Sequence, residues 1–344
     1  MRAAVIREHG GVEKILLEDR PDPRPRANEV LVAVRACALN HLDLWVRRGV
    51  PGHAFPLPLI PGSDMAGEVV EAGELVKNAK PGDRIAVSPG LSCGVCRACL
   101  SGRDHQCREY GIFGETRDGG CADLAAVPAT NVIPLPPGME FAAAASVSLV
   151  FLTAWHMLVE RARVRPGETV LVQAGGSGVG SAAVQIAKLW GATVIATAGG
   201  EEKCRRVREL GADHAIDHTK ADFLAEVRRI TGKRGVDVVV EHVGGETFAK
   251  SLKCLDWHGR VVTCGATTGP AVELNLTHVF FRSLSILGST MGPKGELLEA
   301  WQHVAAGRLR PVVDRTFPLS RIRDAHGYLE ERKAFGKVVV LPGS

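Results

Sequence analysis

Cys93, Cys96, Cys99 and Cys107 stand two, two and seven residues apart. That spacing presents four thiolates to one tetrahedral ion, for which zinc is the natural occupant and iron the rival. His105, inside the same loop, is the alternative to one of the thiolates. A four-thiolate site has no open position for water or substrate, so it is expected to be structural, one zinc per chain, ordering a loop and doing no chemistry. The competing reading is a disulfide framework. Nine cysteines in 344 residues are too few for a stapled fold, and Met1 to Glu8 hold no apolar secretion segment, so a cytoplasmic location is expected. Cys37, Cys121, Cys204, Cys254 and Cys264 lie in apolar stretches and read as small buried hydrophobes.

A second group is Gly175-Gly176-Ser177-Gly178-Val179-Gly180. Glycines let a backbone turn tightly and approach a pyrophosphate, and a helix start offers it unpaired amides and a positive dipole end. Ser177 occupies the middle glycine of the usual G-x-G-x-x-G, so the motif depends on its context. An apolar strand, Glu168 to Ala174, precedes it, and a helix from Gly178 to Trp190 follows, which is the setting of a dinucleotide turn.

The end of the next strand ordinarily selects the coenzyme, because an acid there bonds the adenosine ribose and repels a 2′-phosphate. Here Thr197-Ala198-Gly199-Gly200 carries no acid, and Lys203 with Arg205 or Arg206 follows. Charge-assisted bonds from these side chains are worth roughly 1.5 to 3 kcal/mol each, so NADPH is expected over NADH. Glu201 and Glu202 oppose this if they face the site, and a solvated helix face is the alternative reading of the whole charge group.

These groups need a scaffold. Up to about residue 150 short apolar runs are broken by Pro and Gly, as in Pro56-Leu57-Pro58-Leu59-Ile60-Pro61-Gly62, which predicts an antiparallel, loop-rich β domain. From about 152 strands and helices alternate: Thr193 to Thr197, Glu201 to Leu210, Val236 to Val240, Gly259 to Thr263. That rhythm predicts a doubly wound parallel α/β sheet. Phe141 to Trp155 contains Ser146, Ser148 and Thr153 and is too short for a bilayer span, so it reads as a buried helix and no membrane is expected. The 42 basic and 38 acidic residues leave a formal charge of +4 without a Lys/Arg block, which argues against nucleic acid.

Taken together, the cysteine lobe, Pro61-Gly62-Ser63-Asp64-Met65-Ala66-Gly67, Val69-Val70-Glu71-Ala72-Gly73, Lys80-Pro81-Gly82-Asp83, Asp118-Gly119-Gly120, the Gly175 to Gly180 turn and Gly336-Lys337-Val338-Val339-Val340 resemble the medium-chain dehydrogenase/reductase superfamily over nearly the whole chain. That superfamily holds zinc alcohol dehydrogenases and zinc-independent quinone oxidoreductases. The resemblance implies a GroES-like β domain for substrate (1–151 and 292–344, zinc lobe at 93–107), a Rossmann domain (152–291) inserted in it, and a cleft between them. It implies a homodimer or homotetramer, with Leu284 to Gly288 as the contacting edge. It also carries Thr153, Gly175, Gly176, Ser177, Gly178, Val179, Gly180, Ala198, Gly199, Lys203, Val243, Gly265 and Lys337 over as cofactor-binding residues.

Alcohol dehydrogenases of this kind bind a catalytic zinc where this chain has Asn40, Ser63 and Leu149, none of which makes a zinc site, and their hydroxyl relay falls on Leu42. Asp64 with His41 or His53 is what remains for a displaced metal. The pair Asn40-x-x-Asp43 looks instead like the quinone oxidoreductase branch, which needs no metal because the acceptor carbon is already polarised by its own carbonyl. The catalytic group is then Asn40, His41, Asp43 and Asp64: Asn40 to orient substrate or nicotinamide, His41 as proton donor near neutral pH, Asp43 to pin backbone. Tyr110 is the phenolic alternative. The leading expectation is NAD(P)H-dependent reduction of a quinone or α,β-unsaturated carbonyl. Alcohol–ketone interconversion and a cofactor-binding protein with little turnover stay open beside it.

Overall fold

The computed structural model describes residues 1–343. Along the chain run β1 (Arg2–Ile6), β2 (Ile15–Asp19), β3 (Glu29–Leu39), β4 (Asp64–Ala72), β5 (Arg84–Val87), β6 (Gly90–Leu91), β7 (Gly111–Ile112), β8 (Leu124–Pro128) and β9 (Val132–Pro134). Six further strands follow: β10 (Thr169–Val172), β11 (Thr193–Ala198), β12 (His214–Asp217), β13 (Val236–Glu241), β14 (Leu255–Thr263) and β15 (Ser285–Gly288). The chain then closes on β16 (Val313–Pro318) and β17 (Lys337–Leu341).

Two compact units result. The first holds residues 1–149, 293–301 and 311 onward; the second holds 150–292 and 302–310. The segment 302–310, expected with the β-rich domain, belongs to the second unit. The side chain of Gln185 bonds the carbonyl and amide of Arg310 at 2.9 and 2.8 Å, and His303 packs on Trp155 and Trp190.

The first unit is built on a seven-stranded sheet ordered β16-β17-β3-β4-β5-β9, with β8 also pairing β3. All its pairings are antiparallel except β16 with β17. Its core gathers Val5, Ile6, Ile15, Val32, Leu39, Met65, Ile85, Phe113 and Val338. The register places Leu39 opposite Val338 and Ala38 opposite Asp64. The carboxyl end of β3 is therefore flanked by the amino ends of both β4 and β17. The residues there, Asn40, Asp64 and Lys337, meet at one rim of the sheet.

The second unit is a six-stranded parallel sheet ordered β12-β11-β10-β13-β14-β15. Its strand order reverses between β10 and β13, the place where such sheets bind ligands at their carboxyl ends. Val and Ile fill both faces, as a sheet covered by helices requires, around Leu171, Ile195, Val239, Val261 and Phe248.

The run Phe141 to Trp155 is not one helix. It breaks into Phe141–Ala145 and Ser148–Trp155, and a π-helical turn, His156–Arg161, extends the second piece. Leu149 N–H donates to Asp64 Oδ1 at 2.8 Å, a partner outside the helix, so the second helix starts afresh on a carboxylate. Among the described residues no helix is long and apolar enough to cross a membrane.

Candidate functional site

At the rim of the first unit's sheet stands a buried polar cluster. Asp64 is 0% exposed, Lys337 3% and Asn40 7%. Lys337 Nζ donates to Asp64 Oδ2 at 2.9 Å and to Asn40 Oδ1 at 2.5 Å. Asn40 Nδ2 donates to the same Asp64 oxygen at 3.0 Å and, more weakly, to the Ala38 carbonyl at 3.4 Å. Such a pair is stable in a low-dielectric interior only when its remaining polar atoms are bonded, and here the Leu149 amide takes the other Asp64 oxygen.

Asp43 holds this arrangement from below. It sits on helix His41–Arg48, accepts the Asn40 amide at 2.7 Å on one oxygen and the Gly62 amide at 2.8 Å on the other, and is fully buried. Burial pushes its carboxyl up to about 6, against the pull of those two amides. Gly62 must be glycine: its φ is +104°, and a Cβ would strike the sulfurs of Cys37 and Cys121.

Two expectations change here. His41 was to be the proton donor, yet burial, with Arg332 and Arg48 nearby, drives its pKa down to about 4, so at neutral pH it is uncharged and packs edge-on to Trp45. Asn40 was to orient substrate with its amide, but that amide is engaged by Lys337, Asp64 and the Ala38 carbonyl. Lys337, expected at the cofactor, has its ammonium bonded within this cluster. A displaced metal at Asp64 fares no better. Its oxygens are taken, and His53 leans on Phe55 and Glu115. Tyr110 is packed against Gly90, and burial raises its pKa.

In the second unit the glycine-rich turn joins β10 to helix Gly178–Leu189. Ser177 is the N-cap residue: its backbone is extended and its Oγ accepts the Gly180 amide at 2.9 Å. The serine at the middle glycine position therefore starts the helix. Gly180 has no room for a side chain, since a Cβ would collide with the Ala174 carbonyl oxygen. Gly175 N–H bonds the Thr197 carbonyl at 2.8 Å and ties the turn to β11, whose end carries Ala198 and Gly199.

The loops that carry Val243 and Gly265 are tied to one another. Glu241, buried at the end of β13, accepts the amides of Val243 and Gly244, while Thr267 and Thr268 donate their hydroxyls to the carbonyls of His242 and Val243. His242 was missed by sequence reasoning. Its Nε2 lies 2.9 Å from Ser177 Oγ, so it braces the pyrophosphate-type turn from the neighbouring strand end. Thr153 is buried in helix Ser148–Trp155. Arg205, one of the side chains considered for a 2′-phosphate, is turned along its own helix onto Glu202 and Glu209.

The four lobe cysteines form one cluster, all sulfurs lying within 4.8 Å of one another. Cys93 and Cys107 are 3.5 Å apart, Cys96 and Cys99 3.5 Å, and Cys93 and Cys99 3.9 Å. Four thiolates about 2.3 Å from a central zinc would be separated by about 3.8 Å, so the donor set fits that ion. The amides of Val95 and Cys96 draw the Cys93 thiol down to about 7, while burial and the crowding of Cys93 and Cys96 push its neighbour Cys107 up to about 11, the mutual repulsion that a shared cation would relieve. Among the described residues this is the one group of three or more His, Cys, Asp or Glu side chains close enough to share an ion, and His105 is outside it.

Comparison with known proteins agrees with this geometry. The family model for the alcohol dehydrogenase GroES-like domain matches residues 26–137, and that for zinc-binding dehydrogenase matches residues 178–306. The quinone oxidoreductase of Mus musculus is 32% identical over 353 residues, covering 99% of this chain and 98% of the relative. A solved structure described as an NAD-dependent alcohol dehydrogenase is 48% identical, with a TM-score of 0.96 and all of both chains covered. The cobalt- and zinc-bound thermostable alcohol dehydrogenase of Pyrobaculum aerophilum is 33% identical, with a TM-score of 0.89 and 99% of each chain covered. With its GroES-like sheet, its glycine-rich dinucleotide turn and relatives matched end to end, the chain belongs to the medium-chain dehydrogenase/reductase superfamily and is an NAD(P)-dependent oxidoreductase.

Proposed function

We propose that this chain reduces a quinone or an α,β-unsaturated carbonyl compound with a nicotinamide coenzyme and without a catalytic metal. The observation that carries the reading is the Asn40–Asp64–Lys337 cluster. Where a metal site would need three donors the chain offers Asn40, Ser63 and Leu149, and the positive charge at that rim is an ammonium instead. The coenzyme, when bound, supplies a hydride. The residues of the chain orient the acceptor and stabilise the negative charge that hydride addition pushes onto oxygen. A ketone or alcohol lacks the polarised alkene that makes such an acceptor reactive on its own.

The zinc of the four-cysteine lobe is read as structural, one per chain. NADPH is retained as the coenzyme, on Lys203 and on the absence of an acid at the end of β11. Asp217 is the residue that would reverse this. It ends the adjacent β12 and bonds the Gly200 amide at 2.9 Å, and Thr219 and Gly200 hold its carboxyl down to about 2. The 48%-identical relative is described as NAD-dependent, which makes the two coenzymes a direct comparison. The exposed edge strand β15, with its own Ile286 and the neighbouring Phe280 and Phe281 exposed, supports a homo-oligomer, and nine cysteines without a disulfide suit a reducing cytoplasm.

Alcohol–ketone interconversion is the second reading, favoured by the likeness to the NAD-dependent and the Pyrobaculum aerophilum alcohol dehydrogenases. Metal content per chain and a substrate panel decide between them. One zinc per chain, with coenzyme oxidation by quinones and enones, supports the proposal. Two metals per chain, or turnover confined to alcohols and ketones, would replace it with the dehydrogenase reading.

A further inference from the structure

Resting on the proposed reductase activity, we infer that Lys337 is the electrophile of the reaction, its buried ammonium donating the hydrogen bond that receives the charge developing on the substrate carbonyl oxygen. An ammonium has three N–H donors. Two are spent on Asn40 Oδ1 and Asp64 Oδ2, which fix the direction of the third. Asp64 pairs with that charge, but its carboxylate is also held by the Leu149 amide on one oxygen and the Asn40 amide group on the other, so it draws less strongly on the ammonium. Lys337 is only 3% exposed, so a preorganised donor there acts in a medium where it is worth far more than in water. Of the two other donors weighed for this role, Tyr110 is packed against Gly90, and His41, uncharged at neutral pH, would bring an N–H without a positive charge.

The step balances. Hydride adds to the β-carbon and the alkene π pair moves through the conjugated system to the carbonyl oxygen, where the Lys337 N–H holds it as an enolate. A water molecule then protonates the α-carbon, the carbonyl re-forms, and hydroxide leaves. The coenzyme is oxidised, the alkene is reduced, and Lys337 ends in its starting state.

The rival role for this lysine, the one the family resemblance implies, is to hold the coenzyme. The two differ in what Lys337→Met changes. The zinc-loaded full-length protein would be titrated with NADPH and NADH by fluorescence, and kcat would be measured at saturating coenzyme with a series of para-substituted cinnamaldehydes. An electrophile predicts a fall in kcat of about 100-fold or more, as for loss of one oxyanion donor. It also predicts a coenzyme Kd within threefold of wild type and a steeper dependence of kcat on electron-withdrawing substituents, because the substrate must then polarise itself. Lys337→Arg, which keeps the charge, should recover part of the rate and the shallower dependence. A tenfold weaker coenzyme Kd with kcat retained would overturn the assignment in favour of coenzyme holding. A lower kcat with an unchanged substituent dependence would reduce Lys337 to a structural ion-pair member. If Lys337→Met does not fold, Lys337→Gln with Asp64→Asn makes the same comparison with both charges removed together. A wild-type protein that binds coenzyme yet reduces none of these aldehydes or quinones would defeat the reductase reading itself, and the assignment with it.

Discussion

Asp64 and Lys337 are 273 positions apart, yet Oδ2 and Nζ meet at 2.9 Å with side chains 0% and 3% exposed. Each is the first residue of a strand on either side of β3, so the pairing is a consequence of sheet register. Removing one partner leaves the other charged and buried. Asp64→Ala is expected to cost about 3 to 5 kcal/mol of stability. The double variant Asp64→Ala/Lys337→Met should cost clearly less than the sum of the two single changes. Urea denaturation of all four proteins checks this, and costs that add within about 0.5 kcal/mol would show the two side chains to be energetically independent.

The lobe gives a second test. Metal coordination by thiolates can supply roughly 10 to 16 kcal/mol in small zinc peptides, so Cys99→Ser should lose its zinc and loosen the lobe. Asp104, whose carboxylate takes the Lys294 amide at 3.0 Å, ties the lobe to the rest of the first unit, so the loss should lower the Tm as well. Metal analysis and thermal melts of the variant decide it: a protein that keeps one zinc and its wild-type Tm would refute the structural role.

What was legible in the sequence was what is local. The cysteine spacing, the β10 strand, the turn from Gly175 and the helix from Gly178 are each written within a few residues, and the structure forms them in place. The Asn40–Asp64–Lys337 cluster was not legible, because its three members belong to different strand ends and meet only through antiparallel register. The broken helix at Ser146 and Ser148 escaped for the same reason: the group that starts the second piece is a carboxylate 85 residues away in sequence. His242 follows a valine-rich strand, and only the parallel neighbourhood of β10 and β13 brings it to Ser177.

Ser177 allows a reversal of the usual motif logic. Ser177→Gly would restore the standard middle glycine, yet it removes the hydroxyl that accepts the Gly180 amide and meets His242. Glycine is itself a fair N-cap residue, so the fold should lose only a few tenths of a kcal/mol, whereas Ser177→Ala should lose about 1 kcal/mol. Coenzyme affinity should not improve in the glycine variant. Chemical denaturation and coenzyme titration test both points, and tighter binding in Ser177→Gly would mean that the serine hinders the turn instead of capping its helix.

Gly180→Ala is a harsher change at the same turn. The added Cβ would meet backbone, the Ala174 carbonyl oxygen, which cannot swing away as a side chain can. Helix Gly178–Leu189 would have to move off β10, at a cost of about 1 to 3 kcal/mol typical of overpacking. Coenzyme binding, measured by fluorescence titration, should fall more than tenfold while the four-cysteine lobe keeps its zinc. Unchanged binding would show that the helix start is not where the dinucleotide lies.

His326 supplies a pH dependence. It is fully buried on helix Ile322–Glu330, and burial, with the Arg47 guanidinium nearby, drives its pKa down to about 3. In the unfolded chain it titrates near the ordinary value of about 6.5. Between these values the unfolded state binds a proton that the folded state does not, so stability rises with pH through this window and is lost as pH falls below about 6.5. From pH 7 to pH 5 the loss attributable to this residue is about 2 kcal/mol, at about 1.4 kcal/mol per pH unit below the unfolded value. His41, also lowered, acts in the same direction. Because both ring nitrogens of His326 lack hydrogen-bond partners, His326→Leu removes no bond and should be tolerated at pH 7. Its urea midpoint should then fall less than that of the wild type on going to pH 5. Parallel loss of stability in the two proteins would show that His326 takes up its proton in the folded state as readily as in the unfolded one.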